Sequence, residues 1–454
     1  MRQTSRARPL VSILEVGVAA ILLLIPFHAT LSVWLSTVFG HYTALRLWKE
    51  YVLIVMAVIA LSLTLNNRQL RQRLRHSWLF WLTIGYILLT LLLGFISLAS
   101  HHVDRTAFGY AVVVNLRLVV FFWVCAFVAS QSNKLHRNWQ KLLLFPAVLV
   151  VLFGLFQHFV LSSNFLSHLG YGPHTIAPFE TVDQNNQYVR IQSTLRGPNP
   201  LGAYLVVIIT AVSILFFGAR KRLKRWTLAV YGLVATAVLF YTYSRSAWIG
   251  VVLAVALSIW LSLLGRRGRW LGGALIAIVI IGSAAAYLSL RHNLRFENTF
   301  LHTSTQTRSV VSSDQNHEGA LVSGIKDIIH QPLGRGPGTA GPASVYNNHP
   351  ARIPENYYVQ IGQEVGVLGV AVFITINVLI ARVLWHNRHD RLSLLLLCSL
   401  IGISVVNLVS LAWTDDTLAY LWWGLAGIAS GSVILGAKES SGHETQKTQK
   451  KTAL

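Results

Sequence analysis

"NNRQLRQRLRHSWLFWLTIGYILLTLLLGFIS" (66–97) decides the fold. Its first part carries Arg68, Arg71, Arg73 and Arg75, and from Ser77 onward no charged residue appears. An uncharged apolar run of about 20 residues spans the hydrocarbon core of a bilayer as a helix. The arginines before it mark the side that stays in the cytoplasm.

The pattern recurs along all 454 residues, of which 54% are hydrophobic and only 12% charged. Twelve spans are predicted, near 11–27, 48–65, 77–98, 107–130, 142–163, 199–217, 226–243, 246–264, 270–290, 357–385, 392–412 and 418–436. The run near 11–27 is read as the first span and not as a cleaved signal peptide. Alternate connections are basic: "RQTSRARP", "NNRQLRQRLRH", "NKLHRNWQK", "GARKRLKR", "GRRGR", "HNRHDR" and the tail hold most of the 38 Lys and Arg. Both termini are therefore expected in the cytoplasm. The formal charge of +22 is a topology signal here, and no nucleic-acid partner is expected. Cys125 and Cys398 fall inside apolar spans, where packing is the expected role and neither a disulfide nor a metal site is predicted.

The chain reads as an all-α polytopic membrane protein, one integral membrane domain over residues 1–454. Two longer segments lie on the outer side, 164–198 and 291–354, and are expected to pack onto the bundle as short helices and loops. The tail 437–454 is polar and expected to be disordered.

Basic residues on the outer side are few. Arg190, Arg196, Arg245, Arg308 and Arg335 stand there, with Asn199 close by in "RGPNPLGAYL". A guanidinium stays charged and grips phosphate oxygens through two parallel hydrogen bonds, so the set reads as an anion site. Lipid-headgroup anchoring is the alternative for any single one. The glycines of "LGRGPG" (333–338) allow an anion-binding nest of backbone N–H groups, although a simple turn accounts for them too. "SSDQNHEG" (312–319) gathers Asp314, His317 and Glu318, and reads as a solvated loop more readily than as a base or metal site. In "PENYYVQIGQEVGVLG" (354–369), Gly362, Gly366 and Gly369 read as close helix packing. Glu355 and Asn356 precede the apolar body, and packing does not account for them, although a carboxylate near a helix N-terminus also favours the helix dipole. Arg117, Asn115, His158, Gln360, Gln363 and Glu364 lie within spans and are expected to pair between helices or line a cavity.

Three segments together resemble the O-antigen ligase and polymerase family of membrane glycosyltransferases: "RGPNPLGAYL" (196–205), "YSRSAWIG" (243–250), and "IKDIIHQPLGRGPG…ENYYVQIGQEVGVLG" (325–369). Ligases of this family carry a His, then Asn or a similar residue, nine residues and G-x-x-G. Here Glu355 and Asn356 are followed by nine residues, then Gly366 and Gly369, with Glu355 standing where the ligases have histidine. The resemblance implies a GT-C-like helical fold and a glycan donor on undecaprenyl diphosphate. It also implies transfer to a lipid or glycan acceptor on the outer face of the bacterial cytoplasmic membrane, without a metal or other cofactor. It assigns Arg245 and Arg308 to the leaving diphosphate and Glu355 to the acceptor hydroxyl, with His317 as a second candidate base. Arg190, Arg196, Asn199, Arg335 and Asn356 are the expected substrate-binding residues. The choice between ligase and polymerase stays open, as does that between base and acceptor-orienting group for Glu355. A transporter or flippase, or a peptidoglycan-type polymerase, are the competing readings.

Overall fold

The computed structural model describes residues 7–182, 185–262, 270, 273–274, 277 and 313–436; for 7 and 313–318 it describes only the backbone. The predicted span 270–290, the basic segment "GRRGR", Arg308 and the tail 437–454 thus lie at least in part outside the described residues.

The chain begins with α1 (Ala7–Leu24), a 3-10 turn (Ile25–Phe27) and α2 (His28–Phe39). Together Arg8–Phe39 forms one apolar stretch of 32 residues, longer than the predicted span that stopped at Phe27. Pro26, which has no N–H to donate, sits in the 3-10 turn. Its carbonyl accepts the Thr194 hydroxyl at 2.8 Å. There follow α3 (Tyr42–Arg46), α4 (Trp48–Leu65), α5 (Arg68–Arg75), α6 (Trp78–Ala99), α7 (Arg105–Gln131) and α8 (Lys134–Phe159). A two-stranded antiparallel hairpin, β1 (Glu180–Val182) and β2 (Asn185–Arg190), occupies part of the first outer segment. Then come α9 (Pro198–Phe217), α10 (Arg222–Tyr241), α11 (Arg245–Ser262), α12 (Ser313–His330), α13 (Tyr357–His386), α14 (Arg391–Val406) and α15 (Asp416–Leu435).

Among the described residues ten helices are long and apolar enough to cross a membrane, and α14 is a shorter apolar one. Each predicted span other than 270–290 therefore coincides with an apolar helix. The spans of α7, α9 and α15 are 78%, 78% and 83% buried. They form the centre, with Trp413, Trp422 and Trp423 packed ring against ring beside them. α4, α6, α10 and α13 are less than a third buried and turn their apolar sides outward, as bilayer-facing helices do.

Hydrogen bonds join the connections into two ends. At one end Asp104 N–H donates to Asn347, Asn356 donates to the Leu408 carbonyl, and Ile191 N–H donates to the Tyr241 carbonyl. At the other, Arg391 donates to the Gly218 carbonyl, His136 meets Asp390, and Arg73 donates to the Leu435 carbonyl. The basic connections among the described residues gather at this second end. The two cysteines are buried and unbonded to each other.

Candidate functional site

The site is organised by a break in α13. Gly366 has φ 74°, a left-handed value that interrupts the helix and that glycine adopts without steric cost. The carbonyls just before the break lose their helical partners, and the glycine-rich turn supplies new ones. Arg335 N–H donates to the Gln363 carbonyl at 2.8 Å, Gly336 N–H to the Glu364 carbonyl at 2.9 Å, and Val367 N–H to the Pro332 carbonyl at 2.9 Å. Gly334, Gly336 and Gly338 all take positive φ. Gly366 is therefore a hinge in the chain path and not the packing glycine its spacing suggested. Gly362 does approach a neighbour, Ile328 of α12.

"LGRGPG" does not gather its N–H groups on one anion: Arg335 and Gly336 donate to backbone carbonyls, and Gly338 donates to a side chain of the protein. Gly338 N–H donates to the Glu364 carboxylate at 2.8 Å, and the Asn115 amide donates to its other oxygen at 2.8 Å. Gln360 reaches the same carboxylate at 3.5 Å. Glu364 and Asn115 thus pair between helices, and Gln363 pairs with Asp327 at 2.9 Å.

At the N-terminus of α13, the Asn356 side chain accepts the N–H groups of Tyr358 and Val359 and donates to the Leu408 carbonyl at 2.7 Å. This cap fixes where the helix starts. The structure gives Asn356 this capping part, and its role as a substrate contact stays a proposal. Glu355, immediately before it, has φ 52°. A non-glycine residue pays about 1–2 kcal/mol for that conformation. The Glu355 side chain lines a cavity of about 480 Å³.

The other walls come from distant parts of the chain. Arg196 and Asn199 line the cavity beside Glu180, and Arg46, Tyr110, Tyr346 and Asp415 complete its polar surface. Arg196 is exposed at the mouth and Arg46 is half-buried. The Arg46 guanidinium donates to the Tyr110 hydroxyl and sits 5.2 Å from that ring's centroid; Tyr110 in turn lies 5.1 Å from Tyr346. Arg190 stands behind the wall. It donates to Asn199 at 2.6 Å, to the Thr242 carbonyl at 2.9 Å and to Glu180 at 3.4 Å, so it holds Asn199 and the hairpin in place.

Arg245 opens α11 three residues after Thr242 and is half-buried, but it is not among the residues that line this cavity. Arg308 lies outside the described residues. His317 lies in α12, so "SSDQNHEG" is helical from Ser313 and not the loop predicted. Arg335 faces elsewhere: it pairs with Asp327 at 3.1 Å, donates to Gln331, and lines a different cavity.

Beneath the cavity lies a buried ionic network. Arg117 pairs with Asp416 and with Glu50 at 3.3 Å, while Lys49 meets Glu50 at 3.0 Å and Asp416 at 3.4 Å. Trp48 donates its indole N–H to His28 Nδ1 at 3.1 Å, which leaves Nε2–H to donate to Asp416 at 3.0 Å. With that neutral imidazole, two cations face two carboxylates. The network grips the cavity walls: Lys49 donates to the Arg46 carbonyl at 2.8 Å and Arg117 to the Thr414 carbonyl at 2.6 Å. Asp415 caps α15 through Leu418 N–H at 3.1 Å. Burial, reinforced by Asp416 next to it, pushes the Asp415 carboxyl above its ordinary range, and Arg196 pulls it partly back.

Sequence reading missed Arg46, Tyr110, Tyr346 and Asp415. A signal was present in "ALRLWKEY" (44–51), where Arg46, Lys49 and Glu50 crowd the start of a span on the side poor in basic residues. Charges placed at a span end and in Arg117 and Asp416 call for one another.

No curated protein matches the chain. Residues 231–374 match the family model described as O-antigen ligase, a segment that holds Arg245, the glycine-rich turn, Glu355 and the break at Gly366. The match spans less than half of the chain, and over this segment the protein is similar to that family.

Proposed function

We propose that the protein transfers a glycan from an undecaprenyl diphosphate carrier to an acceptor hydroxyl, and that the cavity at Glu355 is where transfer occurs. The observation that carries this reading is the pairing of a carboxylate held in a strained conformation with two guanidiniums, Arg46 and Arg196, around one cavity. The cavity lies at the end opposite the basic connections, which supports a site on the outer face of the cytoplasmic membrane.

The chemistry follows from the charges. The bond from the sugar's anomeric carbon to the diphosphate oxygen breaks and leaves its electron pair on the diphosphate. Fixed guanidiniums stabilise that growing charge, the role a metal ion plays in other transferases. The acceptor oxygen bonds to the anomeric carbon, and its proton passes to the Glu355 carboxylate. Arg245, which opens α11 beside the Arg190 anchor, and Arg308 are carried into this reading by family resemblance. Arg46 enters it from the cavity itself.

The test is reconstitution of the purified protein in liposomes with an undecaprenyl-diphosphate-linked oligosaccharide and a glycan acceptor. Release of undecaprenyl diphosphate together with elongated acceptor, unchanged by a chelator, is the expected result. Transport of the donor without bond cleavage would overturn the reading in favour of a carrier.

A further inference from the structure

We propose that a second cavity, between the outer end of α6 and the glycine-rich turn, binds a membrane phospholipid through its phosphate. This cavity has a volume of about 490 Å³ and shares no lining residue with the one at Glu355. Its lining divides by chemistry. Leu93, Ile96 and Leu333 form the apolar part, while Ser97, His102, His330 and Arg335 form the polar part.

The apolar part continues a bilayer-facing surface. Phe95 and Ile96 are exposed on α6, and Leu333 is 79% exposed. α12 leads to Leu333 with Val322, Ile325 and Ile329 exposed at helical spacing, an apolar stripe on a helix outside the spans. A helix of this kind lies in the membrane interface, with its stripe toward the acyl chains. The cavity therefore opens at the depth where acyl chains give way to headgroups.

The polar part has hydrogen-bonding capacity left over. Ser97 is 2% exposed and its hydroxyl has no hydrogen-bond partner among the described residues, although most buried polar groups have one. His102 uses Nδ1 with Ser100 at 2.6 Å and His330 uses Nδ1 with the Lys326 carbonyl at 2.7 Å, and no contact occupies either Nε2 among the described residues. With Nδ1 engaged, each imidazole has Nε2 left to face a phosphate oxygen. Asp104 and Arg105 flank His102 in the chain, and Lys326, Asp327 and Arg335 surround His330. Arg335 is half-compensated by Asp327, yet its remaining terminal nitrogen is free to donate among the described residues. An amphiphile with one phosphate and long chains satisfies both halves of the cavity at once. Inorganic phosphate satisfies only one.

The experiment is native mass spectrometry of the full-length protein released from detergent, with phosphatidylglycerol as the probe. The parent should retain one phospholipid. Retention should fall about a hundredfold in the His102→Ala/His330→Ala double variant, which loses two hydrogen bonds to a charged group. Ser97→Ala should also weaken retention, while its melting temperature without lipid stays at the parent value, because that hydroxyl bonds to nothing among the described residues. Equal retention in parent and variants overturns the proposal. So does displacement of the lipid by millimolar inorganic phosphate, which marks a soluble-anion site. Preferential retention of undecaprenyl diphosphate, displaced by the donor glycolipid, overturns it in favour of a donor site. None of these outcomes depends on transfer activity.

Discussion

The Glu364 carboxylate accepts the backbone N–H of Gly338 at 2.8 Å, so the glycine-rich turn closes on an anion supplied by the helix it braces. The same carboxylate takes the Asn115 amide from α7. One buried side chain thus ties the turn, the broken helix and a central helix together.

Glu364→Gln should therefore destabilise the fold. Gln presents an N–H₂ where Glu364 has an acceptor, and it opposes either Asn115 or Gly338. Leaving one buried donor unsatisfied costs about 1–3 kcal/mol. Chemical denaturation or a melting curve in detergent checks this. A variant as stable as the parent would show that the turn is held by Gln363, Glu364 and Pro332 backbone bonds alone.

Arg117→Ala should cost more. It removes one of the two cations that face Asp416 and Glu50, leaving Lys49 alone against two buried carboxylates, and breaking such a pair costs about 3–5 kcal/mol. Arg117→Lys should recover part of the loss, since one ammonium restores the charge but cannot reach Asp416, Glu50 and the Thr414 carbonyl together. Thermal unfolding of the three proteins at equal expression gives the ranking.

The helices were legible from sequence because a span needs only local information. A 20-residue apolar run such as 78–97 must be helical in lipid, whatever packs against it. The break at Gly366 was not legible, because G-x-x-x-G is the same string whether a glycine admits a neighbouring helix or turns the chain. The β1–β2 hairpin and the helical start of α12 escaped for a similar reason: polar residues such as those in 180–190 and 312–319 carry no decisive period. Glu355 stood out through its place before the apolar body. Arg46 did not, since nothing near it in the chain says that Arg196 and Glu355 lie across the same cavity. That Arg335 pairs with Asp327 and lines a cavity apart from Glu355 was not legible, because a guanidinium among glycines reads the same whichever cavity it faces.

The two cavity arginines should differ in their effect on transfer. Arg46 is half-buried against Tyr110, where water screens its charge poorly, whereas Arg196 is exposed. Arg46→Ala should lower turnover by about 10²–10³-fold, the loss typical of a transition-state donor. Arg196→Ala should have a smaller effect that shrinks further at high salt. Initial rates at two ionic strengths check both. An equal, salt-independent loss would place Arg196 as deep in the reaction as Arg46.

Asp415 allows a test by pH. Its folded-state carboxyl titrates above the unfolded value, so ionising it weakens the fold. That penalty is absent below the unfolded value near about 4 and grows as pH rises through the folded value. Asp415→Asn mimics the protonated form at every pH and keeps the helix cap. It should melt at or above the parent temperature at neutral pH, with the gap closing toward about pH 4. A gap that widens on acidification would mean that the Asp415 charge stabilises the fold through Arg196.

The last prediction concerns Glu355. Glu355→Gln keeps the size and hydrogen-bonding shape of the side chain but cannot take a proton. If the carboxylate is the base, turnover falls by about 10²–10⁴-fold while binding of the lipid-linked donor holds. If it only orients the acceptor, the Gln variant retains much of its rate and demands more acceptor. Glu355→His separates the two more sharply, because it restores the residue the ligases carry and can accept a proton near neutral pH. The substitution also keeps a residue type that tolerates the left-handed backbone at this position comparatively well. Activity in the His variant but not in the Gln variant assigns proton transfer to position 355. Full activity in the Gln variant removes the base from this residue and leaves the strained backbone to be explained by acceptor positioning alone.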